Sequence, residues 1–75
     1  MHTRLQSSLR SKITLRNARR LRGYTLKEVA KEARVSVGAL SRYERNPGET
    51  PLHIAVRLSK LYNIPVSSVD FKKLS

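Results

Sequence analysis

The apolar positions of this chain recur at helical spacing in short blocks, and turn signals separate the blocks. In residues 12–22, KITLRNARRLR, Leu15 and Ala18 lie three apart and share one face of a first helix, which Gly23 stops. A second helix starts at Thr25. There Thr25 and Glu28 form a T-x-x-E capping box, in which each side chain satisfies a backbone N–H near the other. Val29, Ala30 and Ala33 give this helix an inward stripe. Ser36 caps a third helix, predicted over Val37 to Arg45. Leu40 and Tyr43 point one way, and Ser41 and Arg42 lie on other sides. Asn46-Pro47-Gly48 then signals a turn.

A fourth helix opens at Thr50-Pro51, with Thr50 as cap and Pro51 as first helical residue, and runs to about Tyr62. Leu52, Ile54, Ala55, Val56, Leu58, Leu61 and Tyr62 make it apolar almost all round, the pattern of a central helix. Asn63 ends it, and Pro65 starts a short fifth helix near Val66 to Val69. Phe71 and Leu74 follow in a tail with little left to bury them. Ahead of the first helix, residues 1–11 carry Arg4 and Arg10 among Ser, Thr and Gln, with Leu5 and Leu9 four apart. They make either a basic arm or one weak helical turn; the arm is the reading adopted. Residues 12–75 then form one all-α domain.

Composition narrows the function. A core drawn from 75 residues supplies only a few kcal/mol, roughly 3–5, of net stability. With no cysteine, neither a disulfide nor a thiolate site is available, and His2 and His53 lack a ligand cluster, so no metal is expected. No apolar run is long enough to span a bilayer, and the N-terminus lacks a signal-peptide block. A cytoplasmic protein with no membrane partner is expected. Sixteen Lys and Arg face five Asp and Glu, a formal charge of +11, which attracts a polyanion: DNA, RNA or an anionic membrane. No nucleophile–base pair, cleft carboxylate pair or phosphate-cradling glycine loop is visible. No enzymatic activity and no cofactor are expected.

The stretch Thr25 to Glu44, TLKEVAKEARVSVGALSRYE, has the spacing of a helix-turn-helix, with the small Ala30 where the two helices would touch. Several stretches make the chain resemble the Cro/CI-type, or XRE, helix-turn-helix family over about residues 13–70. They are Leu15, Ala18 and Arg19 of the first helix, GYTLKEVA at Gly23 to Ala30, Val35-Ser36, LSRYE at Leu40 to Glu44, and LSKLYNI at Leu58 to Ile64. The resemblance implies a compact five-helix, lambda-repressor-like DNA-binding domain with the motif at helices 2 and 3. It implies reading through helix 3, and two copies on a two-fold operator. It also implies a structural ion pair between Arg19 and Glu44. Two residues depart from the family pattern: Arg34 stands where a turn glycine is common, and Leu26 where a polar residue often opens helix 2.

On this reading the start of helix 3 offers Val37, Gly38, Ser41 and Arg42 as base-reading residues. Arg42 is the strongest, since its planar fork matches the two acceptors on the guanine edge; a phosphate contact is its alternative role. Thr25, Leu26 and Lys27 at the start of helix 2, with Ser36, Arg45 and Asn46, are the phosphate-binding set, and Arg20 or Arg22 flank the groove. Ile64, Val66, Val69, Phe71 and Leu74 form either a dimer interface, giving a weak homodimer or a dimer on DNA, or the closure of the domain's own core. The expected function is sequence-specific binding of double-stranded DNA by a transcriptional regulator, as a repressor. The chain ends soon after the DNA-binding region, which favours control by abundance or by a protein partner. An antitoxin that also binds its own promoter is the alternative. RNA binding is a third, disfavoured by few stacking aromatics.

Overall fold

The computed structural model describes residues 12–71; the basic arm at 1–11 and Leu74 lie outside the described residues. Four α-helices follow one another: α1 Leu15–Leu21, α2 Leu26–Ala33, α3 Val37–Arg45 and α4 Leu52–Tyr62. Single 3₁₀ turns at Pro47–Glu49 and Val66–Ser68 follow α3 and α4. Among the described residues, the expected five helices are therefore four. The segment after Pro65 makes one i→i+3 turn, with Ser68 N–H donating to Pro65 (2.8 Å) and Val69 N–H to Val66 (3.1 Å), before the chain extends.

Local chemistry sets the helix starts. Thr14 Oγ1 accepts from Asn17 N–H (3.1 Å), so α1 begins at Leu15, three residues later than expected from the basic run. The capping box of α2 is complete: Glu28 N–H donates to Thr25 Oγ1 (3.1 Å) and Thr25 N–H to Glu28 Oε1 (2.8 Å). Ser36 Oγ accepts from Ala39 N–H (3.0 Å) and starts α3 at Val37. Helix α4 departs from expectation. Pro51 itself is the N-cap, its carbonyl accepting from Ile54 (3.0 Å) and Ala55 (2.9 Å). Thr50 caps nothing, and its hydroxyl is buried without a hydrogen-bond partner.

Three helices end in one way. Gly23, Arg34 and Asn63 adopt left-handed backbone, with φ of 78°, 62° and 57°. The next residue then donates back five positions: Tyr24 to Arg19 (3.1 Å), Val35 to Ala30 (3.0 Å) and Ile64 to Ser59 (2.9 Å). These are Schellman ends, and Tyr24, Val35 and Ile64 each turn an apolar side chain onto the core. Long-range arginines neutralise further carbonyls: Arg22 Nε donates to Tyr62 O (2.7 Å) and Arg57 Nη1 to Ala33 O (3.0 Å).

The core joins all four helices. Leu15 and Ala18 of α1, Val29, Ala30 and Ala33 of α2, Leu40 and Tyr43 of α3, and Ile54, Leu58 and Tyr62 of α4 are buried together with Val69. Helix α4 is less central than its apolar content suggests: Leu52 is 74% exposed and His53 is also exposed, while Ala55 and Ser59 face inward. The chain ends of the domain are tied by a parallel bridge between Ile13 and Val69. Ile13 N–H donates to Ser68 O (3.0 Å), and Asp70 N–H to Ile13 O (2.8 Å). Val69 is only 2% exposed and belongs to the domain's own core, whereas Ile64 and Phe71 pack against that core and stay half-buried.

Candidate nucleic-acid interface

Helix α3 has two faces of opposite character. Leu40 and Tyr43 are buried, whereas Val37, Gly38, Arg42 and Arg45 are exposed and Ser41 is half-buried. The spacing explains the division: Val37, Ser41 and Arg45 succeed one another at i+4, as do Gly38 and Arg42, so they share a side of the helix. Arg45 Nη1 donates to Ser41 Oγ (3.3 Å), which engages that hydroxyl along the same side. Arg42 stacks over the Tyr43 ring, 5.8 Å from its centroid, and pairs with Glu49 at 3.4 Å. This second contact was not anticipated; only the fold of the Pro47–Glu49 turn brings the two side chains together.

Helix α3 is clamped from behind. Arg19 Nε donates to Glu44 Oε2 (2.7 Å) and Arg19 Nη2 to Glu44 Oε1 (3.2 Å), while Arg19 Nη1 donates to Tyr24 O (3.0 Å). The Glu44 side chain is 1% exposed and that of Arg19 is 12% exposed. Arg16 adds a looser contact to Glu44 at 3.5 Å. The hydrogen bond that Arg19 donates to Glu44 raises the Arg19 pKa above its ordinary value, against the opposing effect of burial. The guanidinium thus ties α1 to both the end of α3 and the turn before α2.

The α2 N-terminus lies next in the chain to that turn. Thr25 is exposed and Lys27 is exposed, whereas Leu26 is half-buried against the core. The capping box already occupies the Thr25 N–H, so the first-turn N–H groups of Leu26 and Lys27 are those without an intrahelical acceptor. Ser36 is exposed, and its hydroxyl oxygen is held by Ala39 N–H. Asn46 is half-buried at the end of α3, where its N–H donates to Arg42 O (2.7 Å). Arg22 and Arg20 are both exposed, and the Arg22 Nε is engaged by the Tyr62 carbonyl at the end of α4.

The turn between α2 and α3 passes through Arg34, whose side chain is exposed and whose backbone is left-handed. Arg34 thus takes the left-handed conformation that glycine adopts most readily, at a cost on the order of 1 kcal/mol. Among the described residues, no group of three or more His, Cys, Asp or Glu could hold a metal ion. Among the same residues, no helix is long and apolar enough to cross a membrane.

Two capped helices joined through one left-handed residue, the second presenting a basic outer face, define a helix-turn-helix DNA-binding domain. A helix-turn-helix family model matches residues 15–69, and the chain belongs to that family, of the XRE type. The family is non-catalytic, and its role is DNA binding in transcriptional regulation. Comparison with curated proteins and with solved structures gave no match.

Proposed function

We propose that this protein is a sequence-specific regulator, acting as a repressor, that lays α3 in the major groove of a two-fold DNA operator. The observation that carries this reading is the division of α3. Its inner face is buried at Leu40 and Tyr43, while Val37, Gly38, Arg42 and Arg45 remain open to a ligand. Val37 packs on a thymine methyl, Arg42 reads the guanine edge, Ser41 discriminates weakly, and Gly38 lets the backbone approach the bases. Leu26 and Lys27 hold one phosphate through first-turn N–H groups. Thr25, Ser36, Arg45 and Asn46 complete the backbone contacts that set register.

The Arg19–Glu44 clamp fixes the angle at which α3 meets the groove. One domain covers a half-site, and a second copy about 34 Å along the duplex covers the other. Since Val69 and Phe71 serve the domain's own core, pairing relies on DNA-bound neighbours more than on an apolar tail.

Footprinting on duplexes flanking its own gene tests the reading. Two protected half-sites, one helical turn apart and centred on a dyad, are the expected result. Protection that ignores sequence, or tighter binding to structured RNA than to duplex DNA, would reject it.

A further inference from the structure

Acidic side chains are few on this chain, and two of those on the described helices have placed tasks, whereas Glu32 is exposed on the outer side of α2. Glu28 closes the α2 capping box and Glu44 is locked under Arg19. Glu49 differs: its carboxylate stands beside a side chain of the DNA-facing side, 3.4 Å from Arg42 Nε, with both side chains about half exposed at 55% and 54%.

Its position is built rather than incidental. Glu49 N–H donates to Asn46 O (2.9 Å) and Thr50 N–H to Pro47 O (3.0 Å), closing a tight 3₁₀ turn over the buried Pro47. Gly48 sits against the C-terminal segment, where a Cβ would lie 3.4 Å from the Phe71 carbonyl oxygen. The turn is thus held between α3 and the chain end, and its carboxylate is delivered to the flank of Arg42.

Resting on the reading of Arg42 as a base contact, we propose that Glu49 is a specificity-determining residue that positions Arg42. An arginine without a partner at a DNA surface is taken by the nearest phosphate, a contact that carries no sequence information. A carboxylate beside it offsets its charge and repels phosphate, which weakens binding to any duplex. Standing on the Nε side as an ion pair, the carboxylate leaves Nη1 and Nη2 to span the N7 and O6 acceptors of guanine. The carboxylate therefore lowers affinity for random DNA more than for the operator, which is how an unfavourable element creates discrimination.

The test uses the full chain. Wild-type protein first enriches a preferred duplex from a randomised pool. Affinity for that duplex and for a scrambled one is then measured for wild type, Glu49→Gln, Arg42→Ala and the double variant, with helix content checked by circular dichroism. Glu49→Gln should tighten binding to the scrambled duplex and reduce the preferred-to-scrambled ratio by about three- to tenfold. It should also blunt the penalty for replacing one guanine by 7-deazaguanine, which lacks the N7 acceptor. In the Arg42→Ala background the same substitution should leave the ratio unchanged.

A ratio that Glu49→Gln leaves intact, while Arg42→Ala collapses it, overturns the role of Glu49 and leaves base reading by Arg42 standing. A Glu49→Gln effect that persists without Arg42 overturns the proposed route. If Arg42→Ala weakens both duplexes equally, Arg42 reads no base and the proposal falls with that reading.

Discussion

Arg19 grips Glu44 through two nitrogens, at 2.7 and 3.2 Å, with the carboxylate 1% exposed. The pair joins α1 to the last turn of α3 across the core. Arg19→Ala would leave a buried carboxylate with only the half-exposed Arg16 at 3.5 Å for compensation. The expected loss is about 3 kcal/mol, at the lower end for broken buried pairs because Arg16 remains. Urea unfolding of the variant measures it; a loss below about 1 kcal/mol would place the pair in the weak, solvated class.

Arg34 holds a backbone conformation that suits glycine, and its side chain is exposed. Arg34→Gly should raise stability by about 0.5–1 kcal/mol, whereas Arg34→Ala should not, because alanine carries the same Cβ. Thermal unfolding of the two variants separates backbone relief from the loss of one positive charge.

Tyr62 is buried with its hydroxyl unpartnered among the described residues, and burial pushes its pKa well above 10. A raised folded pKa means that the native state keeps a proton the unfolded chain releases. Stability is thus full below the unfolded value of about 10 and declines as pH rises beyond it. Tyr62→Phe should leave stability at neutral pH unchanged or higher by up to ~1 kcal/mol, since no hydrogen bond is lost. It should also flatten the alkaline decline between pH 10 and 12. Denaturant midpoints across that range check both parts.

Two exposed cations should behave differently on DNA. Arg42→Ala should cost about 1–3 kcal/mol on the preferred duplex and little on random sequence. Lys27→Ala should weaken all duplexes alike and reduce the slope of log affinity against log salt by about 1. Titrations at several salt concentrations distinguish them, and an unchanged slope would remove Lys27 from the phosphate set.

What the sequence made legible was local. The Thr25–Glu28 box, the Ser36 cap, both bounds of α3 and the inward stripe of Val29, Ala30 and Ala33 depend on residues within one or two turns of each other. The family resemblance brought Arg19 and Glu44 to attention, although they lie 25 residues apart. Contacts set by the global fold were not legible. The Ile13–Val69 bridge, Arg22 on the Tyr62 carbonyl and Arg57 on the Ala33 carbonyl have no periodic signature. The start of α4 misled for a different reason. Thr-Pro reads as cap and first turn, yet Pro51 already supplies the capping carbonyl, leaving Thr50 one residue too early. At the interface, residue types suggested Arg42 as a reader, but its partnership with Glu49 emerged only from the turn at Pro47.

The bridge from Ile13 to Val69 brings the two edges of the described domain together. Because the two segments run parallel, joining the end of one to the start of the other into a closed ring takes a return connection of about a dozen residues rather than a tight turn. Such a ring could not fray from either terminus, and its unfolding would have to begin elsewhere, among the helices themselves.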